Sequence, residues 1–303
     1  MYLHENRELF QEIIESASEA LREDIEVVEK DYYVTMILKL LSEKLENVVF
    51  KGGTSLSKGY HAINRFSEDI DITFDSHIGE GKRKALKYKV MQKISGELKM
   101  PIANWESIES DKDYNYYLFS YEPISAFADD SMCPSVKVET ALASYAFPTV
   151  VKEIDSYVRI FLDKDNQDII EEYGLGRFEM KLQAIERTYI DKVFALCDYY
   201  MEGKSKRYSR HLYDIYKLQK IIIADDRFRN LVSEVRLHRV SMKICPSAKQ
   251  GADIRKIVHE FVENDFFKED YEQITNYFLS DYVSYKEVTD QICELVDTGL
   301  FDE

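Results

Sequence analysis

The chain has 303 residues, 45% of them hydrophobic and 13% aromatic, which is enough for one large or two modest cores and excludes a disordered polymer. Its 56 acidic residues outnumber the 40 basic ones, for a net charge of −16. That balance excludes a protein held on nucleic acid by global charge, so any RNA contact has to be local and brief.

In chain order, residues 5 to 22 place Leu9, Phe10, Ile13, Ile14, Ala17 and Leu21 at helical spacing, and a second helix is expected from Asp31 to Leu45. A strand-like run, Asn47 to Lys51, then meets Gly52-Gly53 and a short helical segment to Ile63. Asp69 to Phe74 alternates acidic and apolar residues, the pattern of a strand with one polar face. A helix is expected from Gly81 to Met100, then strands over Tyr114 to Tyr121, Val136 to Leu142 and Tyr157 to Leu162. From Asn166 onward the pattern is mostly helical, clearest over Arg187–Met201, Ser209–Ala224, Ala252–Phe267 and Tyr285–Val296.

The composition shift near 165 divides an α/β lobe (1–165) from a helical lobe (166–303). The cysteines, Cys133, Cys197, Cys245 and Cys293, are scattered without a CxxC, as in a reducing compartment. The start Met1-Tyr2-Leu3-His4-Glu5 does not read as a secretory signal. No run approaches the roughly 18–20 apolar residues of a membrane span. A soluble, cytoplasmic protein without membrane contact is expected.

The string "FKGGTSLSKGYHAINRFSEDIDITFD" at 50–75 carries the chemistry. A strand ending in Gly52-Gly53 and followed by Thr54-Ser55 lets the backbone turn sharply and approach a ligand closely. The helix that begins there directs N–H groups toward a phosphate. Asp69 and Asp71, two apart on a strand, project to one face, where hard oxygen donors suit Mg²⁺. A phosphate turn next to metal ligands is equipment for metal-assisted transfer from a nucleoside triphosphate. No Walker GxxxxGK[ST] occurs. Taken singly, a glycine pair is an ordinary turn and Asp-x-Asp a solvated strand; their order and spacing make the chemical reading the stronger one.

Gly52-Gly53, fifteen intervening residues and Asp69-Ile70-Asp71 resemble the signature of the DNA polymerase β-type nucleotidyltransferase superfamily. The longer string "FKGGTSLSKGY…RFSEDIDI" resembles one branch more closely, the AbiEii/AbiGii family of nucleotidyltransferase toxins of type IV toxin–antitoxin and phage-defence systems. Three further segments are similar to family motifs in the same order: "EKDYYVTMIL" (29–38), "ERTYIDKVFAL" (186–196) and "SRHLYDIYKL" (209–218). Asp191 stands where the family usually has Glu, Ile185 where proline is common, and the chain beyond 218 matches no familiar segment.

The resemblance implies an α+β, bilobed molecule: a polymerase β-type lobe with a mixed sheet, then a helical lobe completing the active-site cleft. It implies a third carboxylate on a neighbouring strand, for which Glu139 in "SVKVETAL" is the best candidate, ahead of Asp155, Asp163 and Asp165. It makes Lys192 a triphosphate contact, although a lysine on an amphipathic helix is usually solvated. It makes Asp214 essential, orienting Lys192 or accepting a proton, with loss of activity but not of the fold on its removal. Without the resemblance Asp214 would simply pair with Arg210.

Gly52, Gly53, Thr54 and Ser55 would cradle the triphosphate. Lys58 either reaches phosphate or is a surface lysine. Arg65 is placed to hold the entrance of the acidic strand, and Ser67 to cap it or meet phosphate. Basic clusters at 82–89, 204–211 and 227–243 are candidate RNA-facing patches, each by itself more often a solvated face.

The reading is transfer of a nucleoside monophosphate from an NTP, with Mg²⁺ on Asp69, Asp71 and Glu139, to an acceptor that family precedent makes the 3′ end of tRNA. The partner would be an antitoxin repressor acting without direct contact. The alternatives are the same chemistry on a protein hydroxyl or a small molecule, and a non-catalytic NTP-binding module.

Overall fold

The computed structural model describes residues 1–65, 67–125, 133–163, 166–242 and 244–302. The fold is α+β and divides into two compact units, residues 1–60 with 67–182 and residues 61–66 with 183–303.

The first unit opens with α1 (Arg7–Leu21) and α2 (Ile25–Lys44). Asn6 caps α1 by accepting the Leu9 N–H, and Phe10, Ile13, Ile14 and Ala17 form its buried stripe. The second helix begins six residues before the expected Asp31. Its first turns bury Glu29 and Lys30, so charge there does not mark a solvent face.

β1 (Val48–Lys51), α3 (Gly52–Lys58) and β2 (Ile70–Phe74) follow. The helix expected over 81–100 comprises α4 (Glu80–Ala85), a π-helical stretch Leu86–Met91 and α5 (Gln92–Leu98). β3 (Tyr114–Ser120) and β4 (Ser135–Ala141) lie where alternation put them. β5 (Thr149–Ile154), α6 (Tyr157–Leu162), α7 (Gln167–Glu172) and β6 (Phe178–Gln183) complete the order.

The run Tyr157–Leu162 is a helix and not the expected strand. Ser156 accepts the Arg159 N–H at 3.0 Å and starts it, and Val158 and Leu162, four apart, are its buried pair. Such a short apolar run fits either period, and the cap decides. The strands β5 and β6 escaped the periodicity reading. Val150 to Glu153 are exposed in β5, so no apolar face stands out there.

The six strands form one mixed sheet in the order β3-β4-β2-β1-β6-β5. β1 runs antiparallel to β2 and parallel to β6; β2 is parallel to β4, and β3 antiparallel to β4. β6 keeps the chain in the sheet to Leu182, paired with Phe50, so the units divide there and not at the composition shift near 165. Phe50, Ile70, Ile72, Val136, Val138 and Leu182 are completely buried and join α2 in one core.

The second unit is helical: α8 (Ile185–Met201), α9 (Arg210–Gln219), α10 (Asp226–Val240), α11 (Ile254–Glu263), α12 (Lys268–Gln273) and α13 (Tyr285–Asp297). Among the described residues no helix is long and apolar enough to cross a membrane. Ile72 pins β2 on the core, so Ile72→Ala is expected to cost about 2–5 kcal/mol, measured by chemical denaturation.

Candidate active site

The register of the sheet builds the polar row. Lys51 on β1 is the Cα partner of Asp71 on β2, and Asp71 the partner of Glu139 on β4. Side chains at paired positions share a sheet face, so one basic and two acidic residues lie side by side. Asp69, just before β2, joins them. The Lys137 ammonium lies 2.5 Å from Glu139 and 3.1 Å from Asp69, a cation seated between two carboxylates. Burial works against that charge, but Glu139 and Asp69 outweigh it and raise the lysine pKa. Burial first, and then the Glu139 charge, push the Tyr114 phenol up to about 12.

Gly52 explains half of the glycine pair. Its φ is +78°, in the left-handed region, and a Cβ there would fall 2.0 Å from Asp71 Oδ2. The close approach this glycine permits is to a carboxylate of the same site. Behind it, the Thr54 hydroxyl donates to the Asp69 carbonyl at 2.5 Å and meets the Ser67 hydroxyl at 2.9 Å, tying α3 to the entrance of β2. Ser55 donates to the Gly52 carbonyl at 2.8 Å. Both hydroxyls are buried and serve the turn itself. Lys58 is buried and its ammonium is engaged by Asp31, whose other oxygen accepts the Tyr157 N–H at 2.9 Å.

The segment "EKDYYV" is therefore a support for this site. Lys30 pairs with Glu68, next to Asp69, and also donates to the Cys133 carbonyl at 3.1 Å. Glu29 accepts the Ile124 N–H at 3.1 Å, and burial pushes its carboxyl up to about 7. Asp31 fixes Lys58 as above. Buried charges need partners, and three consecutive charged residues with helical neighbours were the signal that could have revealed this.

Of the candidates for a third carboxylate, Glu139 is the one on a strand next to β2. Asp155 follows β5, at the edge of the sheet away from β4, and is engaged by Arg177 at 2.8 Å and Arg159 at 3.3 Å. Asp165 lies outside the described residues. Among the described residues, no group of three or more His, Cys, Asp or Glu side chains closes as a metal cluster. The donors at the polar row are nevertheless all carboxylate oxygens, and Asp69 and Glu139 already share a cation, the chemistry a hard divalent ion needs.

The second unit holds Arg65, Lys192, His211 and Asp214 together. Arg65 Nε and Nη2 donate to the two oxygens of Asp214 at 2.7 and 2.8 Å, a bidentate pair. Lys192 donates to Asp214 Oδ2 at 2.7 Å and lies 3.2 Å from His211 Nδ1. All but His211 fall in the buried class, Asp214 completely so.

Burial would raise the Asp214 carboxyl, but Arg65 and Lys192 overcome it and hold it well below the usual carboxylate range. Its stabilisation is therefore complete above the ordinary carboxylate pKa and is lost only as the pH falls through the lower native value. Burial pushes the Lys192 ammonium down despite Asp214, and burial with Lys192 pushes His211 well below its ordinary value, leaving the imidazole neutral at neutral pH. Asp214 thus pairs with Lys192 and with Arg65, and not with Arg210.

Asp191, the departure from the family pattern, is engaged by Arg187 at 2.9 Å and by Arg239 at 2.9 Å, while Arg239 also holds Asp198 at 2.7 Å. That removes Arg239 from the basic cluster at 227–243, whose Arg236 is also buried and donates to the Phe301 carbonyl. Lys87 in the 82–89 cluster is buried on the carbonyls of Trp105 and Ile108. These two clusters are to that extent internal, because guanidinium and ammonium groups also satisfy buried carbonyls and carboxylates.

At the candidate site a glycine turn is fitted around the Asp71 carboxylate, in a row of acids on a mixed sheet. The model of one family, described as nucleotidyl transferase AbiEii toxin, type IV TA system, matches residues 37–290, and the chain belongs to that family. The match continues past residue 218, where no familiar motif stood, as far as residue 290. Membership makes the protein a nucleotidyltransferase toxin with a nucleoside triphosphate substrate and an antitoxin counterpart. No curated protein matches the chain.

Gly52→Ala should lower the melting temperature and abolish transfer. Shortening the clashing group in Gly52→Ala/Asp71→Ala should restore part of the lost melting temperature; no restoration would mean that backbone strain alone is responsible. Asp214→Asn leaves two buried cations without their shared anion and should cost about 3–5 kcal/mol in chemical denaturation, whereas Lys192→Met should cost less. This replaces the expectation that Asp214 can be removed with the fold intact.

Proposed function

We propose that the protein transfers a nucleoside monophosphate from an NTP to the 3′ end of tRNA, releasing pyrophosphate, and so halts translation in the cytoplasm. The observation that carries the chemistry is the register pairing of Asp71 with Glu139 beside Asp69, behind a glycine turn that only a residue without Cβ can form. Asp69, Asp71 and Glu139 would hold Mg²⁺. When bound, that ion supplies charge neutralisation of the triphosphate and polarises the reacting phosphoryl group.

The backbone at Gly52 and Gly53 and the first turn of α3 would receive the triphosphate, with Thr54, Ser55, Ser67 and Lys58 bracing that turn. Asp69 or Asp71 also has the chemistry to accept the proton of the attacking hydroxyl. Lys192 and Asp214 would act as one functional group, the carboxylate fixing the ammonium and Arg65 fixing the carboxylate. Residues that act as a unit give non-additive losses, so Lys192→Ala/Asp214→Ala would be little worse in transfer than either single change. The antitoxin would act as a separate repressor, without binding the toxin.

The test incubates labelled NTP and Mg²⁺ with purified tRNA or with total cell protein. Label on tRNA, absent when the tRNA 3′ end is oxidised by periodate before the reaction and absent with Asp71→Asn, is the expected result. Label on protein alone would move the acceptor to a protein hydroxyl. Pyrophosphate release by Asp71→Asn at the wild-type rate would remove the metal assignment.

A further inference from the structure

Lys137, seated between two carboxylates of the polar row, has no role in the transfer chemistry above. It lies on β4 two residues before Glu139, so both side chains project from the same face. Its ammonium bonds both Glu139, at 2.5 Å, and Asp69, at 3.1 Å. The lysine side chain is 34% exposed, against 27% for Asp69 and 22% for Glu139, so the ion pairs are within reach of solvent and ions.

Two carboxylates brought this close repel each other unless a cation lies between them, and here the chain supplies one. A divalent ion that takes the oxygens of Asp69 and Glu139 must occupy the same electrostatic seat. Both cations cannot be held there at full strength, because their mutual repulsion in a partly desolvated site opposes it.

We propose that Lys137 is a built-in competitor of the divalent cation, neutralising Asp69 and Glu139 in the nucleotide-free protein and yielding them when the metal enters. The inference rests on the metal-ligand reading above. It makes the toxin a weak binder of free divalent cation by construction. The metal then enters with the triphosphate, whose negative charge offers the displaced ammonium a new partner. The structural alternative is that Lys137 is only a counter-ion that holds β4 to the start of β2.

The test uses Mn²⁺ as probe, its unbound fraction read by electron paramagnetic resonance, with full-length wild type, Lys137→Met and Lys137→Arg and no nucleotide. Lys137→Met keeps the length of the side chain and removes its charge, and should bind Mn²⁺ about tenfold or more tightly than wild type. Its melting temperature in EDTA should fall and recover on adding Mn²⁺. Lys137→Arg keeps the charge and should bind Mn²⁺ as wild type does.

Equal Mn²⁺ affinity of Lys137→Met and wild type, abolished in both backgrounds by Asp71→Asn, would overturn this inference and leave the metal reading standing, whatever happens to the melting temperature. Absence of Mn²⁺ binding in every variant, even with a non-hydrolysable NTP, would overturn the metal reading and this inference with it.

Discussion

The site depends on one pairing register. Val48 to Lys51 face Phe74 to Asp71 across the antiparallel ladder, and Ile70 to Ile72 run alongside Val138 to Thr140. A slip of one residue on either side would turn Asp71 into the core and bring Ile72 to the polar face. What prevents the slip is hydrophobic: Ile70 and Ile72 are completely buried, as are Val136 and Val138 on the neighbouring strand. The apolar half of the alternation thus fixes where the acidic half stands, and the row Lys51, Asp71, Glu139 follows from it.

Charge burial is the second theme, and it is handled by sharing. One carboxylate, Asp214, serves two cations; one guanidinium, Arg239, serves two carboxylates; one ammonium, Lys137, serves two more. A desolvated charge is costly alone and less so when opposite charges share it. In a chain of net charge −16, this arrangement spends much of the basic complement internally, Lys30, Lys58 and Lys87 included.

Much of this was legible in the sequence. The glycine pair, the acidic strand and the three further motifs in order named the family, and the alternation in "SVKVETAL" located β4. Less legible were elements whose pattern is ambiguous at short length, such as Tyr157–Leu162, where a serine cap overrides the strand-like composition, or the exposed strand β5. Long-range partners were not legible. Nothing in local spacing says that Arg65 closes on Asp214 149 residues later, or that Lys58 turns back to Asp31 instead of toward phosphate. Such pairs are made by topology, and only charged residues standing among apolar ones hint that a distant partner exists.

The six residues 61–66 have a topological consequence. Arg65 forms a bridge with Leu279, Asn64 accepts the Ser280 N–H at 3.0 Å, and the Asn64 N–H reaches the Tyr213 hydroxyl at 3.3 Å. The helical unit is therefore not a contiguous stretch of sequence: it borrows a loop from the middle of the sheet unit's chain. A fragment cut at Gln183 would carry Asp214 without its guanidinium and the Tyr213 hydroxyl of α9 without the Asn64 N–H. The two units have thus to be inherited, recombined and synthesised as one gene segment, and a ribosome must reach the far helices before the loop emitted near residue 65 finds its place.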